Sequence, residues 1–208
     1  MYPFFETIRY DNGVLENLSF HQQRVDRTFV QHGVSANLQL LSILLTESTA
    51  QIIAPDLIYK CRIKYNLTGE YLVEFLPYTL RAIKSFSFAE IGTHTYAYKY
   101  TNRDWINEAL SKSGTDEIIF VENGLIKDAS YANLALFDGV HWFTPKVPLL
   151  LGTKRAALIE QEIMIETAIK VADLHKYKLV KFINAMMGWE ESPTLPIDYN
   201  GLLIHASI

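Results

Sequence analysis

Four short turn sequences divide the chain into hairpins and limit the folds that are open to it. They are Asp11-Asn12-Gly13, Thr68-Gly69, Asn123-Gly124 and Asp138-Gly139. Asparagine and glycine tolerate the positive φ angles of tight hairpin turns, so each sequence predicts a pair of adjacent antiparallel strands. Strands that come mostly as hairpins favour antiparallel or mixed sheets over an all-parallel sheet.

Helices are predicted between these hairpins. Ser19 can cap a helix that runs to about His32 and stops at Gly33, and another helix is expected after Gly152-Thr153. Two more helices are predicted over Leu38–Leu45 and Asn102–Lys112. Strands are predicted over Phe4–Tyr10, Lys60–Tyr65, Tyr71–Leu76, Thr95–Tyr100, Glu117–Val121, Asn133–Phe137, Val140–Phe143, Ile165–Val171 and Leu179–Ala185.

This order of elements predicts two domains of α/β (α+β) class. The first is a small α/β domain over residues 1–85, and the second is a larger domain over residues 86–208 with a mixed or antiparallel sheet. Arg81–Glu90 is interpreted as the link between the two domains.

Composition excludes several classes of function. The net charge of the 208 residues is −4, which argues against a nucleic-acid partner. Cys61 is the single cysteine, so an intrachain disulfide is impossible, and no metal site is expected. The apolar stretch Leu38–Leu45 is too short to span a bilayer. We therefore expect a cytoplasmic protein without a membrane partner.

Lys99 is the first candidate for chemistry, within Tyr98-Lys99-Tyr100-Thr101-Asn102-Arg103. A lysine between tyrosines at the end of a strand is partly desolvated, which favours the neutral amine that attacks aldehydes. A lysine that protects an edge strand from aggregation is the alternative, and the local sequence alone favours that alternative.

Three other segments supply groups of different chemistry. Asp128, Ser130 and Asn133 form a polar connection between two strands, and their carboxylate could bind a cationic ring nitrogen. Gly152-Thr153 opens a helix whose free N–H groups suit a phosphate, although Thr153 could simply cap that helix. His21 and Arg24 share a helix face, which a solvated charged surface would also explain.

Together these segments resemble the fold-type IV pyridoxal-phosphate enzymes, also called class IV aminotransferases. The resemblance begins at Phe5-Glu6-Thr7-Ile8-Arg9 and runs almost to the C-terminus. It continues through His21-x-x-Arg24, Lys99-x-x-Asn102-Arg103, Asp116-Glu117, Asp128-x-Ser130-x-x-Asn133-Leu134, Thr144-Pro145 and Leu150-Leu151-Gly152-Thr153-x-Arg155. The resemblance implies a two-domain enzyme with pyridoxal 5'-phosphate as cofactor, a small-molecule amino substrate and a homodimer.

The resemblance also implies a role for each matched residue. Lys99 matches the lysine that forms the internal Schiff base and shuttles a proton, and Arg24 matches the arginine that grips the cofactor phosphate. Asp128 stands where the family usually has a glutamate against the pyridine nitrogen. The other residues expected at the cofactor are Arg103, Asn133, Gly152, Thr153, Asn184 and Ala185, and Arg9 is expected at the substrate.

Two short sequences select a branch of the family. Phe182-Ile183-Asn184-Ala185-Met186-Met187 resembles the Asn-Ala-Leu-Met segment of 4-amino-4-deoxychorismate lyases, and Lys99-x-x-Asn102-Arg103 resembles their Lys-x-x-Asn-Arg. The resemblance implies a lyase that forms 4-aminobenzoate and pyruvate, a step of folate biosynthesis.

Two alternatives stay open. One is an aminotransferase that acts on D- or branched-chain amino acids, for which Arg9 or Arg62 could bind the substrate carboxylate. The other is a non-catalytic relative, because Asp128 replaces the usual glutamate and the family motifs begin close to Met1. A compact subfamily is the expected explanation of that early start.

Overall fold

The computed structural model describes residues 1–35, 38–51, 54, 57–198 and 204–205. The chain forms two compact units, each described here by itself. Unit 1 contains Met1–Leu80, Tyr98–Asn102 and Ala185–Met187, and unit 2 contains Arg81–Ala97, Arg103–Asn184 and Gly188–Ile208. Two short segments from later in the chain therefore belong to the unit in which the chain begins.

Unit 1 is an antiparallel sheet with helices. Its elements are β1 (Phe4–Asp11), β2 (Val14–Leu15), α1 (Leu18–Gln31), α2 (Leu40–Gln51), β3 (Tyr59–Tyr65) and β4 (Tyr71–Pro77). The strand order is β2-β1-β3-β4. Ile8 of β1, Ile63 of β3 and Phe29 of α1 are buried in one core. Because side chains alternate along a strand, Arg62 of β3 lies on the opposite face.

Helix α1 begins one residue before the predicted cap. Its N-cap is Asn17 in a left-handed conformation with φ of 53°, and Ser19 already lies inside the helix. The prediction that Ser19 caps α1 is therefore wrong. Asparagine adopts the left-handed conformation at low cost, which lets the chain turn from β2 directly into the helix.

The strand predicted over Thr95–Tyr100 is absent, and an isolated bridge between Phe4 and Tyr100 stands in its place. The backbone N–H of Phe5 donates to the carbonyl of Lys99 at 3.0 Å, and that of Thr101 donates to Pro3 at 2.8 Å. These few hydrogen bonds attach the Lys99 segment to the start of β1 without extending the sheet.

Unit 2 contains two mixed sheets. Its elements are β5 (Phe86–Glu90), α3 (Asp104–Ser113), β6 (Glu117–Glu122), β7 (Leu125–Ala129), β8 (Asn133–Phe137), β9 (Trp142–Pro145), α4 (Thr153–Glu160), β10 (Ile165–Thr167), a 3-10 helix (Val171–Lys176), β11 (Leu179–Ile183), β12 (Thr194–Pro196) and β13 (Ile204–His205). The strand orders are β13-β5-β6-β7 and β10-β9-β8-β11-β12. The prediction of mixed sheets is confirmed.

Strand β5 corrects the interpretation of Arg81–Glu90 as a link. Phe86–Glu90 pairs with β6 in parallel, and Phe88 lies in the core of unit 2. A parallel partner is separated along the chain and leaves no local turn signal, so this five-residue strand was missed. The predicted strand Ile165–Val171 is also shorter than expected, because it ends at Thr167 and a 3-10 helix begins at Val171.

The hairpin turns have the backbone conformation that their sequences predict. Asn12 and Gly13 have φ of 46° and 84°, and Asn123 and Gly124 have φ of 51° and 74°. Two successive positive φ angles match the right-handed twist of the flanking strands. Across the described residues, no helix is long and apolar enough to cross a membrane.

Candidate active site

Lys99 lies half-buried in unit 1, against the first residues of β1. Its Nζ is 4.7 Å from the centroid of the Phe5 ring, and its carbonyl accepts the Phe5 N–H at 3.0 Å. Both ends of the lysine are thus fixed relative to one aromatic residue. A positioned amine on a short, hydrogen-bonded segment is suited to covalent chemistry with an aldehyde.

Arg62 contacts the same aromatic ring. Its guanidinium carbon is 4.8 Å from the centroid of Phe5. Arg62 Nε is buried and has no hydrogen-bond acceptor among the residues that the structure describes. The carboxylate of Glu74, which pairs with Arg62 in the strand register, binds Lys64 instead at 3.1 Å. Arg62 therefore presents a guanidinium near Lys99 that can bind an anion.

Arg24 is held in a buried ion pair on the helix side of β1. Its Nε donates to Glu6 Oε1 at 2.8 Å and its Nη2 donates to Glu6 Oε2 at 2.5 Å. His21 Nδ1 is 2.6 Å from Glu6 Oε2. The sequence suggests such a pair, because Glu6 falls on the inward face of β1 between Phe4 and Ile8, where a charge needs a partner. That Arg24 also binds a phosphate stays a prediction.

Burial and neighbouring charges shift the pKa values of Glu6 and His21. Burial raises the pKa of Glu6, but the charge of Arg24 and the hydrogen bonds from His21 and Arg24 outweigh it and bring the pKa to about 2. Burial lowers the pKa of His21, and the charges of Arg24 and Lys99 lower it further, against the effect of Glu6. Glu6 is therefore a carboxylate at neutral pH and His21 a neutral imidazole that donates to it.

Arg9 is engaged within unit 1. Its Nη1 donates to the carbonyl of Met186 at 3.0 Å, its Nη2 donates to Asp11 at 2.8 Å and its Nε lies 3.1 Å from Glu16. Ala185 belongs to the three-residue segment that this bond fixes. The structure thus gives Arg9 a role in holding residues 185–187, and its predicted contact with substrate stays untested.

Asp128 is a fully enclosed carboxylate in unit 2. Its Oδ1 accepts a hydrogen bond from Asn133 Nδ2 at 2.8 Å, and its Oδ2 accepts one from the backbone N–H of Leu150 at 2.8 Å. Burial raises the pKa of Asp128 to about 6, although the hydrogen bonds from Leu150 and Asn133 and the charge of Arg155 oppose that rise. Such a carboxylate is charged at neutral pH and can accept a hydrogen bond from a protonated ring nitrogen.

The turn that precedes α4 lies against Asn133. Gly152 is the N-cap of α4, with an ordinary φ of −72°, and Thr153 is its first residue. A Cβ on Gly152 would lie 1.8 Å from Asn133 Oδ1, so glycine is required here by space and not by its φ angle. The first N–H groups of a helix lack intrahelical partners, which makes this turn a candidate phosphate site.

Arg103 and Asn184 lie near the segment that follows Asp128. Arg103 Nη2 donates to the carbonyl of Ser130, and Asn184 Nδ2 donates to the carbonyl of Tyr131 at 3.4 Å. Glu117 Oε1 accepts the N–H of Ser130 at 2.9 Å, and burial raises the pKa of Glu117. The sequence named the Asp116-Glu117 motif but gave Glu117 no function. Its contact with Ser130 identifies it as the anchor of the segment after Asp128.

The structure thus brings together Asp128, Asn133, Leu150 and Gly152 in unit 2, and Lys99, Phe5 and Arg62 in unit 1. These are the groups that a phosphorylated aldehyde cofactor and an anionic amine require. These groups fit the donor set of the predicted cofactor: a lysine amine, a buried acid, and a turn at the start of a helix whose glycine admits no Cβ.

Comparison with known proteins identifies a family and a relative that match this chain. Residues 87–190 match the amino-transferase class IV family. An uncharacterized protein of Haemophilus influenzae is 31% identical over 191 residues, which cover 90% of this chain and 100% of that protein.

Solved structures give the same result. The crystal structure of a proposed 4-amino-4-deoxychorismate lyase from Haemophilus somnus 129PT is 32% identical, with a TM-score of 0.83 over 90% of this chain and 98% of that one. A proposed amino-acid aminotransferase from Mesorhizobium loti is 18% identical, with a TM-score of 0.74 over 98% of both chains. A Brucella abortus aminotransferase bound to pyridoxal phosphate is also 18% identical, with a TM-score of 0.68 over 93% of this chain and 79% of that one. At 18% identity the similarity shows the fold alone.

Proposed function

Because this chain belongs to the class IV aminotransferase family and has its fold-type IV architecture, we propose that it is a pyridoxal-phosphate-dependent lyase. Its substrate would be 4-amino-4-deoxychorismate and its products 4-aminobenzoate and pyruvate. The observation that carries the cofactor assignment is the buried Asp128, hydrogen-bonded to the turn that opens α4. The lyase outcome is supported by the 32% identical structure from Haemophilus somnus and by Asn184-Ala185.

The proposed cofactor contacts follow from the chemistry of each residue. Lys99 Nζ would bond to the aldehyde carbon, and Asp128 would accept a hydrogen bond from the protonated ring nitrogen. The N–H groups of Gly152 and Thr153 would bind the phosphate, with the charge of Arg24. When bound, the cofactor ring accepts the electron pair that the substrate carbon releases.

Lys99 would move the protons of the reaction. Released as a neutral amine when the substrate amine takes its place, Lys99 Nζ would take the proton from the carbon bearing the amine. The same group, now protonated, can return a proton to the departing three-carbon fragment, which leaves as pyruvate. The ring of Phe5 keeps Nζ next to an apolar surface and excludes water from one side of it.

Arg62 is the residue that we propose to bind the substrate carboxylate. It shares the Phe5 ring with Lys99, whereas the three guanidinium nitrogens of Arg9 already contact Met186, Asp11 and Glu16. A guanidinium forms bidentate hydrogen bonds with a carboxylate, which would orient the substrate relative to Lys99.

A coupled assay for pyruvate tests the lyase. Purified protein loaded with pyridoxal phosphate is mixed with 4-amino-4-deoxychorismate, lactate dehydrogenase and NADH, and the oxidation of NADH is followed. We expect pyruvate release by the wild type and none by Lys99→Ala. A wild type that releases no pyruvate would contradict the lyase proposal.

An aminotransferase is the second candidate, supported by the family itself. Conversion of D-alanine or leucine with 2-oxoglutarate, without pyruvate release from 4-amino-4-deoxychorismate, would establish it. Visible spectra before and after borohydride separate both reactions from a non-catalytic relative. We expect a reducible absorption band in the wild type that Lys99→Ala lacks.

A further inference from the structure

Asn133 occupies a position in unit 2 that links two different parts of the proposed cofactor site. It is the first residue of β8, and 7% of it is exposed. Its single amide nitrogen donates two hydrogen bonds, one to Asp128 Oδ1 at 2.8 Å and one to the carbonyl of Leu150 at 2.9 Å. The first acceptor is the proposed ring-nitrogen acid, and the second belongs to the turn that leads into Gly152.

The other end of the same amide fixes the turn by contact. Asn133 Oδ1 fills the space that a Cβ of Gly152 would occupy, 1.8 Å from the ideal Cβ position. The backbone N–H of Leu150 closes the network by donating to Asp128 Oδ2 at 2.8 Å. Asp128, Asn133 and the turn are therefore connected pairwise, and moving one of them breaks contacts to the other two.

We propose that Asn133 is a positioning residue that holds the Asp128 carboxylate and the turn at Gly152 in a fixed relation to each other. This inference rests on the proposed pyridoxal-phosphate function, because only a ligand with both a ring nitrogen and a phosphate needs the two parts in register. Asn133 acts through Asp128 and the turn, so its own contact with the cofactor is not required.

Three probes separate the two parts of the site. Pyridoxal without its phosphate tests the side of the acid, inorganic phosphate tests the turn, and pyridoxal 5'-phosphate tests both. Affinities are measured on the cofactor-free protein by calorimetry or by changes in absorption. Asp128→Asn is expected to weaken pyridoxal more than inorganic phosphate, because it removes the charge of the acid and disturbs only one of the contacts that hold the turn.

Asn133→Ala is expected to weaken both small probes. It removes two hydrogen bonds, of which the one to the Asp128 carboxylate is buried, so the affinity for pyridoxal 5'-phosphate should fall about tenfold to hundredfold. Ser87→Ala is the matched control, because Ser87 is also buried in a strand of unit 2 and its hydroxyl lies 3.1 Å from Thr115 Oγ1. It should lower thermal stability and leave all three affinities unchanged. An Asn133→Ala protein that keeps wild-type affinity for either small probe would overturn the proposal.

A size-exchange pair keeps the proposal testable if Asn133→Ala folds poorly. Gly152→Ala places a methyl group against Asn133 Oδ1 and should abolish phosphate binding at accessible concentrations. In the double variant Asn133→Ala/Gly152→Ala the space is free, so phosphate binding should partly recover, as contacting residues give non-additive effects. A double variant that binds phosphate no better than Gly152→Ala would overturn the proposal. A wild type that binds the cofactor but releases no pyruvate would refute the lyase and leave this inference intact.

Discussion

At the scale of single residues, the Asp128 carboxylate depends on a partner that is distant along the chain, the backbone N–H of Leu150. The order of motifs indicates Lys99, Asp128 and Gly152 without any knowledge of contacts. The partners that fix Asp128 cannot be found in this way, because Leu150 lies 22 residues from Asp128 along the chain. Such a hydrogen bond depends on the tertiary fold that brings the segment before α4 to Asp128, and no local propensity encodes it.

Asp128 should govern the acidic side of the activity profile. Burial raises its pKa to about 6, so the carboxyl is charged above that pH and neutral below it. Only the charged form stabilises a protonated ring nitrogen, so activity should fall as the pH decreases through about 6. Asp128→Asn should lose this pH dependence and about tenfold or more in kcat, as expected for a lost charged hydrogen bond. The measurement is kcat between pH 5 and pH 8.

Asp128→Glu serves as the control for this prediction. It restores the longer acid that the family usually carries, and the decline in activity at low pH should persist. An unchanged acidic decline in Asp128→Asn would show that another group titrates.

Arg62 should determine the affinity for the substrate carboxylate. Arg62→Met keeps the length of the side chain and its contact with Phe5 but removes the charge. KM should rise about tenfold to hundredfold with a smaller change in kcat, because the carboxylate is held equally in the ground and transition states. Steady-state kinetics measure this. Lys60→Met, on the same face of β3, should leave KM near the wild-type value. Equal effects of the two substitutions would contradict a specific role of Arg62.

At the scale of elements, local turns and distant pairings differ in what the sequence reveals. The hairpin between β6 and β7 is predicted by Asn123-Gly124, because these two residues adopt the positive φ angles of a tight hairpin turn at low cost. The parallel pairs β5–β6 and β9–β10 are not predicted, because no residue in a short strand specifies a partner far along the chain. The same reasoning explains Lys99, whose predicted strand is replaced by a segment tied to β1 through isolated hydrogen bonds.

The contact between β1 and α1 supplies a pH-dependent part of the stability. The pKa of Glu6 is lowered from 4.5 to about 2, so its contribution is complete above pH 4.5 and is lost as the pH falls towards 2. That contribution corresponds to about 3 kcal/mol. Glu6→Gln should also cost about 3 to 5 kcal/mol at pH 7, because it leaves the buried Arg24 without its carboxylate. Urea unfolding at a series of pH values measures both effects.

Glu74→Gln is the comparison for Glu6→Gln. Glu74 pairs with Lys64 on a partly exposed face of unit 1, and solvent screening limits such a pair to about 1 kcal/mol or less. If the two substitutions lower the free energy of unfolding equally, the buried pair of Glu6 and Arg24 does not contribute the proposed amount of about 3 to 5 kcal/mol.

At the scale of the whole molecule, the family suggests an assembly that the single chain does not display. We expect a homodimer, so light scattering of the purified protein should give about twice the chain mass of 23.8 kDa. Dilution series should separate a stable dimer from a concentration-dependent association. A monomeric mass at concentrations that support full activity would exclude the dimer as the active form.

The carbonyl of Met186 has a consequence for the synthesis of the chain. It accepts the hydrogen bond of Arg9, a residue that leaves the ribosome 177 residues earlier. At typical elongation rates the interval lasts roughly 10 to 35 s. Before Met186 is synthesised, the carboxylates of Asp11 and Glu16 are the partners that can neutralise the charge of Arg9. Most of unit 1 is therefore synthesised early, but the unit is complete only after residues 185–187 have been made.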